Sequence, residues 1–407
     1  MSTHTILRLG HQGDGIAEGP IFAPLTLPGE VVSGALVGQR LTDIRIETPS
    51  ETRVTPPCRH FKSCGGCQLQ HASDDFVAEW KVDVVRSALA AHDLKADFAP
   101  VATSPAQARR RATLAARRTK KGAMAGFHAK GSDVIVEILD CQLLHPDLMR
   151  ALPVAEALAR ACASRKGALD VAACLSEGGL DVQVTGGRPL DGPLRVSLAQ
   201  LADAHDLARL TYGDETVVTR RAPAQVFGAA SVVPPSGAFL QATREGEAAL
   251  LAEVMETTEG AARIVDLFAG CGTFALPLAQ SAQVHAVEGD AAMIAALDAG
   301  WRNAQGLKRV TTEARDLFRN PLLSDELAAF DAAVIDPPRA GAEAQVAELA
   351  RTHIPRIAYV SCNPVSFARD AATLALAGYT IERVRVVDQF RWSAHVELAA
   401  RFVLTAA

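Results

Sequence analysis

Apolar and polar residues alternate in short runs over the first fifty residues: ILRLG, GIAEGPIFAP, GEVVSGALV and LTDIRIE, with glycines between them. A period of two broken by glycine predicts a small all-β unit with tight turns. TPSETRVTPPC then reads as a linker. Over 75–92 the spacing becomes helical, with Phe76, Trp80, Val84, Val85 and Leu89 near one face. Alternation returns over 123–140, where VIVEIL predicts a strand that delivers Cys141 just beyond its end, and 147–163 predict a helix. Residues 169–233 read mostly as short strands and loops. After Pro234 and Pro235 the pattern shifts to an Ala/Leu/Glu-rich helix from about 246 to 257. Four short apolar runs follow, ARIVDLF, QVHAVE, DAAVID and RIAYVS, separated by helical segments at 274–281, 290–304 and 343–352. Such runs suit buried parallel strands. A helix near 365–376 and two β-like runs, TIERVRVVDQF and HVELAARFVL, complete the chain.

This order predicts an α/β protein in three parts: a small β-barrel over 1–53, an α+β region over 54–235, and a Rossmann-like domain over 236–407. Composition agrees, because 49% hydrophobic and 21% charged residues over 407 positions describe an ordinary globular chain with material for several cores. MSTHTILRLG lacks the charged and apolar regions of a signal peptide, and no run of roughly 18 apolar residues offers a membrane span. A cytoplasmic protein without a membrane partner is expected, as a monomer with no obligatory protein partner. The net charge of -5 does not suggest a nucleic-acid binder. Yet AQARRRATLAARRTKK, residues 106–121, holds Arg109, Arg110, Arg111, Arg117, Arg118, Lys120 and Lys121 with no acid. Such a run is either a solvated face or a phosphate-neutralising segment.

Eight cysteines occur, and in a cytosolic chain structural disulfides are not expected. Cys58, Cys64 and Cys67 are spaced C-x5-C-x2-C, and Cys141 follows after 73 residues. Four thiolates suit zinc or an iron–sulfur centre, with zinc the default from spacing alone.

The strand ends carry the remaining chemistry. IVDLFAGCGTFALPLA is a strand, a glycine turn and a helix, in which Gly270 and Gly272 clear room for backbone. The pattern is GCG rather than the GxGxxG that seats a pyrophosphate. Asp266, Glu288 and Asp316 stand at or near the ends of successive strands, where acids can accept ribose hydroxyls and an adenine amino group. A nucleoside cofactor without phosphate, S-adenosylmethionine, fits this layout. Cys271, inside the turn, reads as a small buried residue. Two further strand ends follow: Asp336 in DPPR, and Cys362 directly after YVS, where Asn363 and Pro364 favour a turn that aims the thiol away from the core. Uracil C5 is too weak a nucleophile to take a methyl group from a sulfonium. A thiolate added at C6 activates it, and a base must then remove the C5 proton. That chemistry needs one cysteine and one carboxylate.

With these motifs assembled, the chain resembles the RNA 5-methyluridine methyltransferases that carry an N-terminal TRAM domain and an iron–sulfur cluster. LPGEVVSGALV resembles the RNA-binding TRAM barrel, CRHFKSCGGCQLQH the cluster loop, and the C-terminal half the class I methyltransferase domain, with SCNP and HVE the specific pair of motifs. The resemblance implies Cys362 as nucleophile and Glu397 as general base. It implies Asp336 in the cofactor and uracil pocket, Phe239 near a flipped base, Gln241 as a hydrogen-bonding pocket residue, and Glu288 and Asp316 on the cofactor. It also implies a [4Fe–4S] cluster on Cys58, Cys64, Cys67 and Cys141, RNA as the partner of the basic run, and 23S ribosomal RNA as the substrate, with transfer RNA the alternative. Two departures stand out: Thr243 in place of the usual asparagine, and Arg391-Trp392-Ser393 in place of Pro-His-Thr before HVE.

Cytosine C5 methylation is a competing reading, but it calls for a second cysteine in a proline-cysteine motif where this chain has DPPR. A non-enzymatic iron–sulfur RNA-binding protein is the other. Covalent trapping by 5-fluorouridine RNA separates it from the enzyme.

Overall fold

A computed structural model of the chain describes residues 2–165 and 167–405. The N-terminal alternation folds into a closed five-stranded barrel of β1 (Ser2–Leu9), β2 (Gly15–Ala17), β3 (Ile21–Ala23), β4 (Val31–Val37) and β5 (Arg40–Thr48). Ile6, Ala17, Ala23, Val32 and Leu41 fill it. The closed barrel leaves no unpaired edge.

Helix α1 (Asp74–Ala90) starts where Ser73 accepts a hydrogen bond from the Phe76 amide, with Asp74 and Asp75 in the first turn. It leads to β6 (Phe98–Thr103). The basic run is not a free segment. Most of it forms β7 (Arg111–Thr119), an interior strand of a seven-stranded sheet with β8 (Gly122–His128), β9 (Ile135–Val136), β10 (Ala168–Ser176), β11 (Gly179–Thr185), β12 (Arg209–Tyr212) and β13 (Glu215–Thr219). Helices α2 (Ala151–Cys162) and α3 (Gly192–Ala204) contribute Leu158, Leu194 and Leu198 to its core. VIVEIL departs from expectation: only Ile135 and Val136 pair as a strand, and the chain then turns toward Cys141. Helix α3 was hidden within the stretch expected to be strands and loops; Asp191 caps it and Pro193 lies in its first turn.

A short ladder, β14 (Gln225–Phe227) with β15 (Ala230–Val232), precedes α4 (Arg244–Thr257). Thr243, one of the two departures, is the N-cap of α4: its hydroxyl accepts from the Gly246 amide and also bonds Ser104 at 2.7 Å. The C-terminal region is a Rossmann-like fold of β16 (Arg263–Leu267), α5 (Ala275–Leu278), β17 (Gln283–Glu288), α6 (Ala291–Asn303), β18 (Val310–Ala314), α7 (Ser324–Leu327), β19 (Ala332–Ile335), α8 (Glu343–Thr352), β20 (Arg356–Ser361), α9 (Pro364–Leu376), β21 (Tyr379–Asp388) and β22 (Leu398–Leu404). The sheet order is β18-β17-β16-β19-β20-β22-β21-β6. The four expected apolar runs are all present as parallel strands, and β22 runs antiparallel between β20 and β21. Connections leave β16 toward one side and β19 toward the other, so a crevice opens beyond their carboxyl ends. The outer edge is closed by β6, which pairs parallel to β21, Phe98 opposite Val384.

No helix among the described residues is long and apolar enough to cross a membrane.

Candidate active site

The turn after β16 holds three residues in the left-handed region: Phe268 at φ 64°, Gly270 at φ 56° and Gly272 at φ 93°. A Cβ on Gly272 would lie 2.8 Å from Leu276 Cδ1, so the turn demands glycine there for space as well as conformation. The turn floors a pocket of about 440 Å³ at the carboxyl ends of five parallel strands. Gly270, Glu288, Asp316, Asp336, Cys362 and Glu397 all line it, together with Phe239 and Gln241. Eight residues singled out in the sequence thus converge on one cavity. Gly272 and Asp266 lie beneath rather than in it. The Asp266 carboxyl is fully buried with neither oxygen hydrogen-bonded, and desolvation with Asp336 nearby holds it well above the usual carboxylate range.

Glu288 is aimed by two backbone donors, Gly270 N at 3.1 Å and Asp290 N at 3.0 Å. Asp316 accepts from the Phe318 amide at 3.0 Å. Two aromatics unforeseen in the sequence, Phe268 and Phe318, meet at 5.4 Å between ring centroids on the pocket wall, near Met293. Two acids at strand ends beside a mixed aromatic and aliphatic wall suit a nucleoside with a charged sulfonium, so the residues fit S-adenosylmethionine.

The reacting end is built from the two loops after β19 and β20. Asn363 caps α9 and its side-chain amide donates to the Arg339 carbonyl at 2.8 Å; Ser366 Oγ donates to the same oxygen at 3.0 Å. These bonds hold Arg339 and Cys362 in one wall. Burial, then Glu397 and Asp336, push the Cys362 thiol up to about 11, while Arg339 opposes them. Glu397 is raised to about 8 by burial and Asp336, with the Gln389 hydrogen bond and Arg111 pulling the other way. Asp336 is raised to about 7 by burial and Glu288. Both of these carboxyls, Glu397 and Asp336, are thereby lifted toward neutral pH. Cys271 is buried and its thiol is pushed up to about 12, an inert packing residue as expected.

Cys362 also lines a second, larger space. A groove of about 930 Å³ runs from His11 and Arg40 of the barrel past Gly65 and Lys130 to Arg339, Cys362 and His395. The thiol therefore sits where the groove meets the pocket. The altered segment Arg391-Trp392-Ser393 ties this junction together. The Trp392 carbonyl accepts from the Gln68 and Leu69 amides, and Arg391 pairs with Asp74 at 2.5 Å.

The basic run divides by strand geometry. Arg117 and Arg118 are exposed at the end of the β7–β8 hairpin beside Lys120 and Lys121. Arg110 turns inward, pairs with Glu247 and donates to the Gln241 carbonyl at 3.0 Å, so its charge is committed to the fold. Arg111 lies over Phe239 at 4.5 Å and Arg109 over Phe390 at 5.5 Å. Neither has a carboxylate partner among the described residues, and both line a neighbouring cavity.

Cys58, Cys64, Cys67 and Cys141 line one cavity of about 20 Å³ between the loop and β8, all as free thiols. That space holds roughly one water. Among the described residues no group of three or more His, Cys, Asp or Glu side chains is gathered closely enough to hold a metal ion. The four thiols fit a soft metal centre in number and chemistry.

Comparison with known proteins accords with this geometry. The sequence model of a family described as tRNA (Uracil-5-)-methyltransferase matches residues 234–404. An uncharacterized RNA methyltransferase of Brucella suis is 44% identical over 97% of this chain and 96% of its own length. The 23S rRNA (uracil(1939)-C(5))-methyltransferase of Shewanella piezotolerans is 32% identical over 98% of this chain and 95% of its own. Among solved structures, the tRNA (uracil-54, C5)-methyltransferase of Pyrococcus abyssi, with bound S-adenosyl-L-homocysteine, shares the fold at a TM-score of 0.75 and 21% identity, over 98% of this chain and 99% of that one.

Proposed function

Because the chain belongs to the S-adenosylmethionine-dependent RNA (uracil-C5)-methyltransferases, we propose that Cys362 and Glu397 methylate a uridine of transfer RNA at the junction of groove and pocket. The enzyme class is uracil-5-methylation of RNA, and its methyl donor is S-adenosylmethionine. The observation that carries the assignment of roles is the double exposure of Cys362, which faces the groove on one side and the cofactor pocket on the other. The cofactor supplies the methyl group as an electrophile. The Cys362 thiol first gives up its proton to water, Sγ adds to C6 of the uracil, C5 takes the methyl group and leaves S-adenosylhomocysteine, Glu397 removes the C5 proton, and the S–C6 bond breaks to restore the thiolate. Glu288 and Asp316 orient the nucleoside, and Phe239, more than half exposed at the mouth, offers a face for the base.

Transfer RNA becomes the first reading because the family description that covers the catalytic half names it. This reverses the order expected from the barrel-plus-cluster layout. The Shewanella relative supports 23S ribosomal RNA as the second reading. Labelled methyl transfer to unmodified transcripts decides: transfer RNA should accept label at C5 of one uridine, and label confined to 23S fragments would establish the second. Failure of both transcripts and of total RNA from cells lacking the gene would overturn the function.

For Cys58, Cys64, Cys67 and Cys141 we propose a structural [4Fe–4S] cluster, supported by the four thiols on one cavity. All four ligands would be spent on iron, leaving no open position for the cofactor. Anaerobically purified protein should hold about four irons per chain, and Cys64→Ser or Cys141→Ser should lose them. Stoichiometric zinc without iron would refute the assignment.

Arg117 and Arg118 are proposed to meet RNA phosphates, with Arg109 and Arg111 nearer the site. Replacing Arg117 and Arg118 with Ala should flatten the plot of log affinity against log salt by about two units, roughly one per lost phosphate contact. Arg110→Ala should leave the slope alone and instead destabilise the fold by about 1–3 kcal/mol, because it strands the partly buried Glu247. An unchanged slope in the double variant would make these arginines plain solvated surface.

A further inference from the structure

Beneath the reacting end lies a buried amide to which neither the sequence motifs nor the mechanism gives a role. Gln389 follows β21 and is 1% exposed. Its Oε1 accepts from the Ala242 amide at 2.6 Å. That backbone donor decides the orientation of the side chain, because a flipped amide would set N–H against N–H. The Nε2 group must therefore face the other way, where it donates to Gln241 Oε1 at 2.6 Å and to Glu397 Oε2 at 3.1 Å. The niche is built to hold it. Lys81, fully buried, pairs with Asp388 at 2.6 Å and donates to the Phe390 carbonyl at 3.3 Å, pinning the backbone on both sides of Gln389. Gly246, in the first turn of α4, leaves the space: a Cβ there would lie 2.5 Å from Gln389 Cβ.

This chain of bonds has a consequence for the base. Gln241 accepts through Oε1, so the group left to face the pocket is its NH2, a donor only. The ring position it faces follows from the proposed roles of its neighbours. Cys362 takes C6 and Glu397 takes the proton of C5, so the substituent next to C5 on the other side is that of C4. Uracil has an oxygen there, which accepts; cytosine has an amino group, which would oppose a fixed donor.

We propose that Gln389 is a positioning residue that locks the Gln241 amide donor-outward and thereby selects a base with oxygen at C4, while holding Glu397 against the same pocket wall. The inference rests on the proposed roles of Cys362 and Glu397. A donor facing the wrong group leaves buried polar atoms unpaired, which is how a site rejects a near-isostere most strongly.

Gln389→Glu keeps the shape and the bond from Ala242 but removes the NH2. Gln241 is then free to turn its own NH2 toward residue 389 and show its oxygen to the base. Gln389→Met removes the lock without reversing it. The probe is the accepting transcript of the methylation assay with 5-fluorouridine at the target, and its inhibition by the same transcript with cytidine there. At pH about 8.5, where an added carboxyl is more fully ionised, Gln389→Glu should slow covalent trapping at least tenfold and improve cytidine-transcript binding relative to uridine-transcript binding about tenfold. Gln389→Met should lose most of the wild-type discrimination. Cofactor affinity and thermal melting report that each variant is folded. Should either fail to fold, Gly246→Ala displaces Gln389 from the other side and must move the uridine-to-cytidine ratio in the same direction. An unchanged ratio, with trapping slowed or not, would overturn the proposal, since a merely structural residue affects both bases alike. A wild-type enzyme that 5-fluorouridine RNA does not trap would instead remove the mechanism on which it stands.

Discussion

Cys362→Ala is expected to yield a folded protein that binds S-adenosylmethionine normally and transfers methyl groups below about 1% of the wild-type rate. The side chain is half-buried in a loop whose geometry depends on Asn363 and Ser366, not on the sulfur. Loss of the sulfur should therefore change stability by no more than about 1 kcal/mol. Chemistry has no substitute for it. C5 of uracil becomes nucleophilic only after addition at C6, and no other thiol lines the pocket except Cys271, which is 2% exposed and held neutral by burial. Labelled methyl transfer, a cofactor titration and a melting curve test the prediction together. Residual transfer of more than a few per cent would remove Cys362 from its role. With burial and the neighbouring acids pushing its thiol up to about 11, Cys362 is held as the neutral thiol at pH 7 in the free enzyme. The nucleophile is thus kept protected until a base arrives and its proton leaves.

Glu397→Gln should separate the two halves of the reaction. Addition and methyl transfer precede proton removal, so the variant should accumulate a methylated RNA–protein adduct with ordinary uridine, visible as a slow band on a denaturing gel. Cys362→Ala, alone or combined with Glu397→Gln, should give no band. In the wild type, Glu397 with a pKa raised to about 8 holds its proton below that pH and can take one above it. Turnover should accordingly climb as pH rises through about 8, and adduct should persist longer on the acid side. Partial escape of the proton to water is compatible with the role. Near-wild-type turnover with no adduct would reject it and make Asp336 the next carboxyl to test.

The sequence carried much of this site because the fold converts strand ends into neighbours. Gly270, Glu288, Asp336 and Cys362 each stand at the end of an apolar run and Asp316 just after the more polar β18, and a doubly wound sheet brings such positions together whatever their separation along the chain. What escaped was set by tertiary context. Gln389 looks like any polar residue after a strand, and only the Ala242 amide and the Gly246 gap reveal it as part of a relay. Arg110 is indistinguishable in composition from Arg109 and Arg111, yet just ahead of β7 its amide bonds the Ala242 carbonyl and its side chain reaches Glu247. VIVEIL has strong β propensity but only two of its residues find a partner. Helix α3 was masked by the strands around it, although Asp191 and Pro193 are a start signal. The cysteine spacing indicated a common destination but not the tightness of the cavity they share.

The edge strand β6 gives the chain an unusual history at the ribosome. Phe98 has to wait for Val384 before it can pair, and α1, whose Val85 and Leu89 belong to the same core, waits with it. At synthesis rates of roughly 5–20 residues per second, that interval is on the order of 15–60 s. The barrel can close and the central sheet can form meanwhile, but the apolar face of α1 and an unpaired strand remain exposed until nearly the last residue has emerged. A nascent chain of this design depends on being shielded during synthesis more than its final stability would suggest, and a catalytic half expressed alone would carry β21 as a raw, self-adhesive margin.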